Sequence, residues 1–138
     1  FCSYVDADPE PKIVSLEHVH HLGTEVAGQL STPPCSILEL VHALHPTPAV
    51  GGDPQTEALA IIKKVEGINR KRYAGPVGWV SANGDGEFAV GIRSAEVKAN
   101  TAHLFAGVGL VEDSDPQSEL EETEAKFKTM LNTFLPTI

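Results

Sequence analysis

Leu104-Phe-Ala-Gly-Val-Gly-Leu-Val-Glu-Asp-Ser-Asp-Pro-Gln-Ser-Glu-Leu-Glu-Glu-Thr-Glu-Ala-Lys126 decides how the chain is read. An apolar strand ends in Gly107-Val108-Gly109, and a turn leads to a helix opening at Ser114-Asp115-Pro116. Pro near a helix start costs no hydrogen bond, because the first helical N–H groups have no internal partner. On that helix Glu119, Glu122 and Lys126 stand at i, i+3 and i+7. At about 100° per residue they fall within roughly 60° of arc. Two carboxylates and an ammonium on one face, below a strand end with free backbone N–H groups, can hold a hard cation and an anion together. A solvated helix face has the same spacing. The order of the surrounding segments has to decide between the two.

Composition narrows the field. The 138 residues suit one domain or part of one, and 41% hydrophobic residues suffice for a modest core. No run approaches the ~18 apolar residues of a membrane span. A net charge of −9 argues against nucleic acid, whose phosphates repel an acidic surface. Cys2 and Cys35 are too few for a disulfide framework and fit a reducing cytoplasm; Cys35 reads as a small hydrophobe. The chain begins Phe-Cys-Ser-Tyr, and no signal peptide is expected from its sequence.

Along the chain, residues 1–11 are polar and broken by Pro9 and Pro11, which predicts a loop or frayed end. Ile13 to Leu30 is rich in β-branched residues and predicts a strand or two. Ile37, Leu38, Leu40, Val41 and Leu44 keep helical spacing over 36–44, and His45-Pro46-Thr47-Pro48 stops that helix. Asp53-Pro54 opens a second helix through about Val65. Residues 77–82, an Asn83-Gly84-Asp85-Gly86 turn and 87–97 predict a hairpin. A turn at Lys98-Ala-Asn100 leads into 102–111, giving a three-stranded meander before a final helix over 115–134. The fold class is α+β, an antiparallel sheet backed by helices.

Taken in order, these motifs resemble the chorismate-utilising enzymes: the isochorismate, salicylate, anthranilate and aminodeoxychorismate synthases. Their common ending is a Gly-x-Gly strand end, an acidic Ser-x-Pro turn and a helix reading Glu-x-x-Glu-Thr-x-x-Lys. Here it stands as Gly107/Gly109, Ser114-Asp115-Pro116 and Glu119-Leu-Glu-Glu122-Thr123-Glu-Ala-Lys126. Upstream lie Arg93, Tyr73 opening Tyr-Ala-Gly-Pro-Val-Gly-Trp79, and His45-Pro-Thr-Pro-Ala-Val-Gly-Gly52. The resemblance runs from about His21 to Leu131 and is nearest to isochorismate synthase. Members of that family are much longer, so residues 1–138 are expected to be the C-terminal part of one chorismate-binding, anthranilate synthase component I-like domain. The partner this implies is the N-terminal part of the same polypeptide.

The resemblance also implies roles. Glu122 would be the direct Mg²⁺ ligand and Glu119 a supporting, often water-mediated one, in keeping with a cation that takes one or two carboxylates plus water and substrate. Arg93 and Tyr73 would hold the enolpyruvyl carboxylate of chorismate, the Arg by a planar fork. Gly107 would offer close backbone approach, with Gly109 structural. Lys126 would reach a substrate carboxylate; its plainer reading is an i, i+4 ion pair with Glu122. His21 matches a histidine beside the ring. His18, His20 and His21 lack a fourth ligand at zinc spacing.

Ala49 bears on the subfamily. Salicylate-forming members place Thr there and anthranilate-type members a Ser-Val-Thr-Gly-Ala-Pro-Lys-like run, so Pro48-Ala49-Val50-Gly51-Gly52 favours water addition to the ring. The implied activity is Mg²⁺-dependent isomerisation of chorismate to isochorismate for siderophore or menaquinone synthesis, in the cytoplasm. A salicylate synthase and a non-catalytic chorismate-binding remnant are the alternatives. No candidate for the activating Lys, the protonating Glu or the second metal-binding Glu of the family's upstream part occurs in this chain, so 1–138 alone should be close to inactive.

Overall fold

A computed structural model describes residues 1–15 and 20–135, which fall into two compact units, Phe1–His42 and Ala43–Ile138. In the first unit β1 (Cys2–Ala7) pairs antiparallel with β4 (Val26–Leu30), and β2 (Lys12–Ser15) with β3 (His20–Gly23). The loop or frayed end expected over 1–11 is therefore corrected. Tyr4 and Val5 favour extended backbone, and their partners Gln29 and Gly28 lie far along the sequence. Local punctuation cannot reveal such a pairing. The prolines mark only the bend after β1, where Lys12 Nζ lies 2.9 Å from Asp8 Oδ1.

Helix α1 (Ile37–Leu44) opens on a reciprocal cap. Glu39 N–H donates to Ser36 Oγ at 3.3 Å, and Ser36 N–H donates back to Glu39 Oε2 at 2.8 Å. That backbone bond holds the Glu39 carboxyl below its ordinary range.

The second unit contains α2 (Pro48–Gly51), α3 (Gln55–Val65), β5 (Pro76–Val80), β6 (Gly86–Val90), β7 (Ser94–Lys98), β8 (Thr101–Phe105) and α4 (Pro116–Phe134). The expected hairpin is present. Ser81 N–H donates to Asp85 O at 2.8 Å, and Gly84 takes φ +94°, a conformation open to glycine. The three-stranded meander is not. β5–β6 and β7–β8 are separate two-stranded ribbons, broken at Gly91-Ile92-Arg93. Gly91 turns its backbone to another segment: it donates to Gly75 O at 2.8 Å and accepts from Ala74 N–H at 2.9 Å. Arg93 takes φ +47°, which no strand residue adopts. Placing Arg93 within a strand is thereby corrected, as is the strand extending to Val111, since β8 stops at Phe105. The α+β class with antiparallel pairing stands.

α4 begins as its sequence dictates. Pro116 fills the first turn, and Asp115 caps the helix, its Oδ1 accepting from Ser118 N–H and Oγ, both at 2.9 Å. The helix leans on β8. Among the described residues Ala74 is the one buried hydrophobe, whereas Val77, Trp79 and Val80 of β5 are all exposed.

Two glycines separate packing from mere flexibility. A Cβ on Gly78 would lie 2.0 Å from Glu87 O and 2.6 Å from the Phe88 ring, whereas one on Gly109 meets nothing within 4 Å. Gly78→Ala should therefore cost about 1–3 kcal/mol, as overpacked sites do. Gly109→Ala should be near neutral. Thermal denaturation of both variants checks the pair, and equal midpoints would contradict this packing.

Candidate functional site

The site is assembled around Tyr73, which follows a tightly bonded turn. Arg70, just after α3, donates from Nε to Glu66 Oε2 at 2.8 Å, and its Nη2 makes a second bond to Glu66 Oε1. Its remaining arm, Nη1, donates to Val50 O of α2 at 2.8 Å. Lys71 Nζ and Arg72 Nη2 both reach the Glu96 carboxylate on β7, at 3.1 and 3.0 Å. Tyr73 N–H then donates to Arg70 O at 2.8 Å. The ring stacks on Phe105 with centroids 5.2 Å apart, and the Arg70 guanidinium lies 5.9 Å from its centroid.

These contacts set the electrostatics. The hydrogen bond from Arg70 holds Glu66 below the usual carboxylate range and raises Arg70. Lys71, then Arg72, lower Glu96 in the same way. Tyr73 moves up, chiefly because burial disfavours the phenolate, with the nearby Arg70 charge opposing.

From Tyr73 the contacts pass to the glycine turn and on to α4. Tyr73 Oη lies 3.0 Å from where a Gly107 Cβ would stand. Gly107 O accepts from Lys126 Nζ at 3.2 Å. The same ammonium pairs with Glu122 Oε1 at 2.6 Å, the Lys side chain 22% exposed and the Glu 57%. Glu119 accepts from Ser114 Oγ at 2.7 Å, and Ser114 Oγ accepts from Val111 N–H at 3.1 Å. The turn before α4 is thus tied to the first carboxylate of its acidic face.

Tyr73, Gly107, Lys126 and Glu122 therefore form one continuous string of contacts, with Glu119 a turn earlier on the helix. Lys126 makes the i, i+4 pair that was its plainer reading, and it also reaches the glycine turn. Arg93 enters by backbone position. Ser94 pairs with Phe105 as the last rung of β7–β8, so Arg93 and Gly107 leave the same end of that ribbon. Ala49 sits on α2, joined to this region through the Val50–Arg70 bond. His21 belongs to the other unit. Its backbone pairs with Val14 in β3, and its side chain, like all of His18, lies outside the described structure.

Sequence reasoning missed Arg70 and Glu66. Their signal was the Glu-x-x-x-Arg spacing at 66 and 70, which reads as an ordinary surface pair. Phe105 was equally silent, as one apolar residue in a strand.

Among the described residues no group of three or more His, Cys, Asp or Glu is placed to hold a metal. Glu119 and Glu122 offer two carboxylates one turn apart, and Mg²⁺ characteristically takes one or two, completing its shell with water and ligand oxygens.

Residues 1–135 match the profile of the family described as chorismate binding enzyme. The chain belongs to that family. It is 47% identical over 131 residues to the isochorismate synthase MenF of Bacillus subtilis, covering 95% of this chain and 28% of that protein. It is 44% identical to the vibriobactin-specific isochorismate synthase of Vibrio cholerae, covering 95% of this chain and 33% of that protein. The crystal structure of DhbC from Bacillus anthracis, described as a candidate 2,3-dihydroxybenzoate-specific isochorismate synthase, superposes with a TM-score of 0.91. It is 48% identical, over 97% of this chain and 36% of that one. The chain thus spans about a third of the length of these relatives.

Burial of Tyr73 is directly measurable. A difference titration between the protein and its Tyr73→Phe variant isolates one phenol, expected above the ordinary tyrosine value of about 10. A midpoint at or below that value would contradict the packing against Phe105.

Proposed function

We propose that residues 1–138 form the anion- and metal-binding part of an isochorismate synthase, a cytoplasmic enzyme that converts chorismate to isochorismate for siderophore or menaquinone synthesis. The string of contacts from Tyr73 through Gly107 and Lys126 to Glu122 carries this reading. It brings a phenol donor, a close-approach glycine, an ammonium and a carboxylate to one end of the β7–β8 ribbon. Chorismate is a dicarboxylate, and those groups match it: cationic and hydroxyl donors for carboxylates, and acidic oxygens for the cation between them. The isochorismate synthase relatives support the reaction assigned.

In this reading the Tyr73 hydroxyl and the Arg93 guanidinium hold the enolpyruvyl carboxylate, while Gly107 lets the substrate approach the backbone. Lys126 exchanges its Glu122 and Gly107 partners for a substrate carboxylate. Glu122, supported by Glu119, would hold Mg²⁺. The bound cation would supply neutralising charge to the ring carboxylate. Water adds at C2 and the C4 hydroxyl leaves, with the proton-transfer groups provided by chain outside these residues. General acid–base catalysis is commonly worth ~10²–10⁴-fold, so the 138 residues alone should be nearly inactive. The exposed apolar face of β5 is where the rest of the polypeptide would pack.

In the complete enzyme, Glu122→Gln should cut kcat by at least about a hundredfold at limiting Mg²⁺ without altering the fold. Conversion of chorismate followed by chromatography, with circular dichroism as control, tests this; wild-type turnover would remove the metal assignment. Arg93→Lys should raise KM for chorismate, because a point charge cannot reproduce a bidentate fork. An unchanged KM would sink that assignment.

A further inference from the structure

Arg70 is a densely bonded cation of the second unit, and the proposed reaction gives it no role. Its three donor nitrogens are all engaged: Nε and Nη2 on Glu66, Nη1 on Val50 O. Its guanidinium also lies over the Tyr73 ring. Beside that ring is a shallow pocket of about 190 Å³, lined by His45, Pro46, Val50, Leu59, Arg70 and Tyr73 among others. An aromatic side chain bordering unfilled volume has somewhere to turn. Phe105 stacking restrains the ring but leaves this pocket open. The Glu66 carboxylate anchors the guanidinium to the end of α3 by two parallel bonds, a geometry that fixes direction as well as distance. The arm to Val50 O makes the α2 turn part of the same brace.

We propose that Arg70 is a positioning residue that clamps the Tyr73 ring between the α2 turn and Phe105, so that the phenol oxygen stays at Gly107. No substrate contact is assigned to it. An ammonium lacks the planar fork that holds the Glu66 carboxylate by two bonds while a third arm reaches Val50 O and the plane lies over the ring, so Lys is a poor substitute. The proposal rests on the reading of Tyr73 as a carboxylate donor only for its kinetic consequence. The clamp itself is a structural claim.

The experiment therefore has two arms, both on the complete protein. In the first, steady-state kinetics with chorismate are compared for wild type, Arg70→Met, Arg70→Lys and Glu66→Gln. Loss of alignment at one donor should raise KM by about tenfold or more in both Arg70 variants while kcat falls less. Glu66→Gln, which loosens the anchor but keeps the guanidinium, should give a smaller effect in the same direction. In the second arm, protein labelled at tyrosine Cζ is titrated by ¹³C NMR, the Tyr73 signal being assigned by its loss in Tyr73→Phe. If Arg70 clamps the ring, its removal admits water and the Tyr73 midpoint falls towards the ordinary tyrosine value. If the guanidinium acts only as a nearby positive charge, its removal raises the midpoint, and that result overturns the clamp. An unchanged midpoint in Arg70→Lys, where the charge stays and only the fork is lost, also overturns it. The spectroscopic arm needs no turnover, so failure of the proposed reaction and failure of the clamp are told apart. If Arg70→Met does not fold, Arg70→Lys, which keeps the charge but not the fork, decides the outcome: a Tyr73 midpoint fallen towards the ordinary value supports the clamp, and an unchanged one overturns it.

Discussion

The site depends on one contact: the Lys126 ammonium donating to the Gly107 carbonyl. α4 packs on the β7–β8 ribbon at β8 and carries Glu119, Glu122 and Lys126 along one face. By reaching back 19 residues, Lys126 links that face to the glycine turn where Tyr73 ends. Gly107 leaves room for the tyrosine hydroxyl beside that bond. Any side chain there would begin 3.0 Å from the Tyr73 hydroxyl. The Lys126–Glu122 pair keeps a half-buried ammonium compensated.

Around this contact the chain holds its elements by polar bracing. The basic run Arg70-Lys71-Arg72 sends one cation to α3 and two to β7, bringing Tyr73 between them. The backbone cooperates through the Gly91 exchange with Ala74 and Gly75, which ends one ribbon and starts the next. Non-glycine residues with positive φ cluster here, at Lys71, Ala74 and Arg93. Such conformations cost about 1–3 kcal/mol each and persist where surrounding bonds overdetermine them. They sit where the ribbon ends meet the tyrosine turn.

How much of this was legible in the sequence follows from the range of the interactions. The helices over 37–44, 55–65 and 116–134, and the hairpin turn at 83–86, declare themselves through spacing, caps and glycine, all local signals. The acidic face of α4 and its union with the glycine turn were visible in the motif order. β1 was not, because its pairing with β4 is long-range and its prolines lie just beyond it. The break at Gly91-Ile92-Arg93 was hidden for a related reason. The apolar stretch Phe88-Ala-Val-Gly-Ile92 favours continuous strand, and the competing bonds to Ala74 and Gly75 interrupt it. Arg70 was passed over because an i, i+4 partner explains it locally. Its other two partners, Val50 and Tyr73, emerge only in the fold.

In the proposed reading a helix and a ribbon end make a single site: one would carry the cation's ligands, the other the groups for an anion. If both ligands meet there, each must change the other's affinity by the same factor. Calorimetric titration of the complete protein with chorismate, in the absence of Mg²⁺ and at saturating Mg²⁺, reads that coupling. The account predicts at least about tenfold tighter chorismate binding with Mg²⁺, matched by tighter Mg²⁺ binding with chorismate. Identical chorismate affinities under the two conditions would contradict a shared site.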